Sequence, residues 1–481
     1  MEVLQRTANR GSISTGPYEI DNSVKMEPDN SEKLTRSQTT GTNRKKFTVS
    51  FWVKRTELGA MMVLAIAEAS GNDISFLNFE SDNALRFRDT ASGSNQCILE
   101  TNRLFLDTSA WYHIVLRVDT TDSTADDRNR IYINGVQETS FSARTNFDQN
   151  DDTFWGYNGG ALTWGNALNE ANYFGGYVAD AYYIDGQSLA PTSFGEFDED
   201  SGIWIPKNAS GLSVGNNGYY LDFKDAANLG NDASGGTDFT ETNIAASDQG
   251  TDTPTNNFAT LALQVRAGTS SEIGPVREGG TYMKQDGVNQ QIDFFGTIGV
   301  TQGKWYWEVY VPSRSASYGL LNYIGLHSMK TIPIGAAATG GTSQCNWVMH
   351  YGDYNATVNG TNSGQNTAAG LPSYGTDGAG KTFGIAFNAD DGEITFYANN
   401  TRIGNAGIDI FDLHDDMVAG TFVHPFIQVY DNNLYVNFGG CSFWASPSDY
   451  DETDANGWGS FAYAPPTGYY AICTKNLAEY G

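Results

Sequence analysis

Residues 47–55, FTVSFWVKR, alternate apolar and polar side chains, and 111–119, WYHIVLRVD, and 130–136, RIYINGV, follow in the same manner. Successive side chains of a pleated strand point to opposite faces. Phe47, Val49, Phe51 and Val53 therefore share one face, and Thr48, Ser50, Trp52 and Lys54 the other. The pattern predicts half-buried antiparallel strands. The Ile133-Asn134-Gly135 step supplies a tight turn that tolerates a positive φ.

Composition agrees with an all-β chain. Its 481 residues are enough for two or three domains, each with its own core. The 54 glycines and 13% aromatic content favour many short strands and tight turns over helices. The 28 basic and 56 acidic residues give a net charge of −28, which argues against nucleic acid as a partner. Residues 1–60 run against this trend with ten Lys/Arg and seven Asp/Glu, which suits docking of the 1–16 arm on an acidic partner. Cys97, Cys345, Cys441 and Cys473 lack the spacing of a zinc site, and a disulfide among the last three stays open. MEVLQRTANR has no apolar core for a secretory signal, and no run is long enough for a membrane helix, so no membrane insertion is expected.

The first sandwich is expected over 17–225, ending in YFGGYVADAYYIDG (173–186), an irregular crossing and a last strand near Tyr219–Phe223. Residues 226–260 are polar and turn-rich and read as a linker or an ordered strap. A second sandwich follows over 261–481. Its signposts are GKWYWEVYV (303–311), KTFGIAFNADDGEITFYANNTRIG (381–404) and HPFIQVYDNNLYVNFG (424–439). Trp305, Trp307, Val309 and Val311 fall on one face, and Asp390-Asp391-Gly392 and Asn399-Asn400 form hairpin turns around the strand 393–397.

The first strand set resembles the laminin-G or concanavalin-A-like lectin sandwich. The string GIAFNADDGEITFYANN resembles a SPRY domain. Their order, joined through IWIPK and DTPTNNFATL and closed by YAPPTGYYAICTKNL, resembles virion appendage proteins of tailed, especially marine, bacteriophages. That resemblance implies two tandem antiparallel β-sandwiches with little helix and no enzymatic activity. It also implies a place on the virion after assembly in the host cytoplasm, and contact with other virion proteins and a host-surface glycan or protein. A homo-oligomer, a trimer for a fibre, is the matching expectation. Alternatives are a capsid decoration protein without a receptor role and a glycan depolymerase.

Two strings bear on catalysis. Glu196-Phe197-Asp198-Glu199-Asp200 approximates the Glu-x-Asp-x-Glu strand of glycoside hydrolases, where alternation brings acid and nucleophile to one face. It lies in a Pro/Gly-rich crossing and reads as a solvated acidic turn. Gly211-Leu212-Ser213-Val214-Gly215 fits a nucleophile elbow, but Asn216-Asn217-Gly218 and a tyrosine-rich strand follow where that motif needs a helix.

Binding residues are sought in loops. Trp155, Tyr157 and Trp164 stand among Asn158, Asn166 and Asn169, and Tyr351, Asp353 and Tyr354 form a comparable set in the second half. Exposed rings beside amides and carboxylates suit pyranose stacking. No cofactor is required, though Asp119, Asp122, Asp126 and Asp127 offer hard oxygen ligands for calcium in one loop.

Overall fold

The computed structural model describes residues 18–68, 73–166, 171–262, 276–284, 291–312, 323–328, 347–350, 355–357, 380–409, 419–430, 433–440 and 450–481. They fall into two compact units, one within Ile13–Thr255 and one within Asn256–Gly481. The arm 1–16 lies outside the described residues. Both units are built mainly of antiparallel strands, with one parallel pair, Lys304–Val311 with Tyr470–Ala471, in the second, and the one α-helix among the described residues is Thr474–Tyr480.

In the first unit, strand Lys46–Arg55 pairs with Trp111–Asp119 on one side and Gly176–Asp185 on the other. Asn129–Ile133 and Val136–Gln137 extend this sheet at one edge, Ser23–Met26 and Gln249–Gly250 at the other. The facing sheet runs from Phe141–Thr145 through Ser94–Leu104, Ala84–Ala91, Ile74–Phe79, Met61–Ala67, Ala161–Trp164 and Lys33–Ser37 to Thr240–Thr242. Phe47, Val49, Phe51 and Val53 enter the shared core with Leu64, Leu77, Phe87 and Leu99 of the opposite sheet, as the alternation requires.

The other face of Lys46–Arg55 departs from the half-buried expectation, because Thr48, Ser50, Trp52 and Lys54 are buried too. Later chain segments fold back over them. Thr48 Oγ1 donates to Gln187 O at 2.9 Å, and Lys54 Nζ meets Asp252 Oδ2 at 2.6 Å. A buried polar group is tolerated best when paired, and Thr48, Ser50 and Lys54 have their partners. The first unit thus continues past Asp225 to Thr255, with 240–242 and 249–250 as edge strands of its two sheets.

Asp89 lies inside this unit. Phe154 N donates to its Oδ2 at 3.1 Å, while Oδ1 has no partner. Burial pushes its carboxyl up to about 7, with the Phe154 bond working the other way. The folded state therefore favours the protonated acid, and its contribution is whole below the ordinary carboxylate pKa and lost as pH rises through about 7. Unfolding free energy should fall between pH 4 and 7 by up to about 1.4 kcal/mol per pH unit from this group. Asp89→Asn should flatten that slope in denaturant titrations across the range; an unchanged slope would assign it to other acids.

In the second unit, strand Lys304–Val311 pairs with Lys381–Asn388 and Asn433–Asn437. Glu393–Ala398 and Thr401–Asp409 extend the sheet as a hairpin whose turn residues Asn399 and Asn400 take φ of 45° and 61°, as primed turns require. Trp305, Trp307, Val309 and Val311 all reach the core. On the opposite face Glu308 is buried and accepts from Ala462 N, Tyr463 N, Asn437 Nδ2 and Tyr306 OH. One carboxylate thus ties the closing segment of the chain to the middle of the sheet.

Candidate functional site

An open polar cleft of about 280 Å³ is built around Arg36 in the first unit. Arg36 lies next to the end of strand Lys33–Ser37, and its guanidinium packs over the rings of Tyr219 and Phe239, 4.9 and 4.7 Å from their centroids. Its Nη1 donates to Asp232 Oδ2 at 3.0 Å and Thr237 O at 2.9 Å, and its Nη2 to Asn217 O and Gly218 O. Asp232 Oδ1 accepts from Tyr220 N, Ser234 N and Ser234 Oγ. Asn217 exchanges bonds with Thr39, its Oδ1 accepting from Thr39 N at 2.7 Å and its Nδ2 donating to Thr39 O at 2.9 Å. Two walls, 214–218 and 234–237, are therefore fixed from below by one buried ion pair. Gly218 is obligatory in the first wall, since a Cβ there would lie 1.8 Å from Val214 O.

The cleft presents the exposed Ser37, Asn216 and Thr237 and the backbone of Gly235 and Gly236. Such a surface offers hydroxyl, amide and peptide groups, as a ligand rich in hydroxyls would need. Sequence reading missed it. The turn-prone NNG and SGGT runs mark loops, but nothing local joins them to Arg36, 181 residues away from Asn217.

The aromatic residues expected to form a platform are placed differently. Trp155 is fully buried, stacked on Phe47 at 4.7 Å, with its indole N–H donating to Ser75 Oγ at 2.8 Å. Trp164 is equally buried, edge-on to Phe51, and donates to Tyr219 OH at 3.0 Å. Both are core residues, because strands on either side close over them. Tyr157 is 36% exposed, yet Phe154 stacks on its ring at 4.8 Å and the Arg44 guanidinium lies 5.3 Å over it. Those contacts occupy part of the ring surface a sugar would stack on. Tyr351, Asp353 and Tyr354 lie outside the described residues, as do Cys345 and Cys441.

The four aspartates of the 119–127 loop are engaged within the protein. Burial, the largest single effect, pushes the Asp119 carboxyl up, but the bonds it accepts from Lys46 Nζ at 2.9 Å and from Thr121 together outweigh it and hold it below the usual range. Asp122 Oδ1 accepts from Thr124 N, Asp126 pairs with Arg144 at 3.3 Å, and Asp127 pairs with Arg130. Among the described residues no group of three or more His, Cys, Asp or Glu side chains is arranged to hold a metal ion.

Neither catalytic string has working geometry. The strand Gly195–Phe197 ends before Asp198, whose Oδ1 is occupied by Ser201 N and Oγ, so Glu196 and Asp198 do not share a strand face. The loop holding Ser213 runs into strand Tyr219–Leu221 and not into a helix. A third pair was not legible beforehand: Ser50 Oγ lies 2.8 Å from His113 Nε2. Trp204 Nε1–H donates to His113 Nδ1 at 2.9 Å, which places the imidazole proton on Nε2. His113 then donates to Ser50, the reverse of what a general base needs. Burial drives its pKa down to about 3, and Trp52 stacks on it at 4.7 Å.

Residues 28–187 match the family model described as the concanavalin A-like lectin/glucanases superfamily. No curated protein matches the chain significantly. Among solved structures, the chain is similar to the mouse laminin alpha1 chain domains LG4-5 at 11% identity, covering 85% of this chain and 82% of that one, TM-score 0.30. It is similar to the heptameric SAP-like pentraxin of Limulus polyphemus at 16% identity, covering 36% and 78%, TM-score 0.28. The SPRY domain of human HERC1 is 15% identical over 35% of this chain and 92% of its own, TM-score 0.25. No helix among the described residues is long and apolar enough to cross a membrane. Residues 28–187, a third of the chain, thus carry a laminin-G/concanavalin-A-like sandwich.

Proposed function

We propose that this chain is a structural appendage of a tailed-phage particle, a tail or head fibre, that attaches to host-surface glycan through its first sandwich. The observation carrying this reading is the open polar cleft, whose walls are fixed before any ligand arrives. A preset site avoids the ordering cost that weakens flexible loops. The phage assignment rests on the order of sandwiches and connecting strings along the sequence. Homo-oligomeric copies beside other virion proteins on one particle would turn weak single-site binding into avid attachment.

The test is binding of the purified full-length chain to bacterial cells and isolated surface glycans, with calcium and with chelator, assaying the same samples for new reducing ends. The expected outcome is binding without cleavage and without dependence on calcium, since Asp119, Asp126 and Asp127 already pair with Lys46, Arg144 and Arg130. No binding in any condition would overturn attachment and leave capsid decoration. Release of reducing ends would restore the depolymerase reading.

A further inference from the structure

Resting on that attachment reading, we propose that the Arg36 cleft selects an uncharged, hydroxyl-rich sugar, held one residue at a time, and rejects acidic sugars. The size argument comes first. At about 280 Å³ the cleft lies just below the usual range of small-molecule sites, room for about one sugar residue.

The charge argument is the stronger one. The cleft's cation is unavailable to a ligand: both terminal nitrogens of Arg36 are committed to Asp232, Thr237, Asn217 and Gly218 oxygens. Arg36 and Asp232 side chains are only 7% and 0% exposed, so the pair is internally neutral and does not project a charge. Around it, residues 214–241 carry Asp222, Asp225, Asp232, Asp238 and Glu241 against the lone Lys224. A carboxylate or sulfate entering this field is repelled and finds no positive partner. A neutral sugar instead meets Ser37, Asn216 and Thr237, groups able to donate and accept.

The site lies only partly within the matched segment, which supplies Arg36, Ser37 and Thr39. Of its walls, neither 214–218 nor 234–237 falls in residues 28–187. The segment beyond Ile184 builds both, and Arg36 positions them without touching the ligand.

The experiment is saturation-transfer NMR on the full-length chain with glucose, galactose, mannose and N-acetylglucosamine, alongside glucuronate and N-acetylneuraminate. At least one neutral sugar should bind, and both acids at least about tenfold more weakly. Asn216→Trp, on an exposed wall position, should abolish that binding with unchanged thermal unfolding. Ser37→Arg should raise glucuronate binding at least severalfold by supplying an unpaired cation. Acidic sugars binding as well as neutral ones, no sugar binding at all, or Asn216→Trp binding normally would overturn the assignment. Cell attachment separates the two readings: if it persists in Asn216→Trp the cleft assignment fails alone, and if wild type does not attach the attachment reading fails.

Discussion

Asp252→Ala should lower the unfolding free energy of the first unit by about 3–5 kcal/mol, the cost typical of breaking a buried ion pair. Asp252 Oδ2 meets Lys54 Nζ at 2.6 Å with side-chain exposures of 1% and 0%, and its Oδ1 accepts from Trp111 Nε1 at 2.9 Å. The truncation leaves an ammonium and an indole N–H buried without this partner. The loss comes mainly from that stranded charge and not from the attraction removed. Lys54→Met with Asp252→Leu should therefore recover most of the stability, since apolar replacements of buried pairs are often neutral. Urea unfolding of the three proteins decides it. A double variant as unstable as the single would mean that the pair's geometry, not its charge balance, holds the segment.

Trp155→Ala should cost about 3–5 kcal/mol through the cavity left in the core. For a unit of this size that is about 2–4 °C of melting temperature per kcal/mol. Phe47 loses its stacked neighbour and Ser75 Oγ loses the indole donor. Sugar and cell binding per folded molecule should stay at wild-type level. This separates the buried tryptophan from a surface platform: lost binding with unchanged stability would return Trp155 to the ligand.

The strands were legible because their signal is local. Phe47, Val49, Phe51 and Val53 declare one face by alternation alone, as do Trp305, Trp307, Val309 and Val311, and both sets reach their cores. What covers the opposite face was not legible. Lys54 in FTVSFWVKR looks like a solvent-facing cation, and only Asp252, 198 residues later, makes it a core residue. Trp155 and Trp164 misled for the reverse reason. Flanked by Gly, Asn and Asp they resemble loop platforms, while their burial depends on Phe47, Ser75, Phe51 and Tyr219 elsewhere in the chain. The cleft failed to show for the same cause, since its parts come from three separated stretches held by one arginine.

The edge of the first sheet has a mechanical consequence. Ser23 pairs with Gly250 and Val24 with Gln249, antiparallel, so the unit's chain enters and leaves at the same end of one pair of neighbouring strands. Tension applied through the flanking chain pulls that pair open like a zipper, one bond at a time, instead of shearing all of its bonds together. The clasps that resist are Lys25 with Asp248 at 3.1 Å and Lys54 with Asp252 just beyond. Adjacent ends also make the unit a natural subject for circular permutation, in which the load path moves elsewhere and the clasps remain.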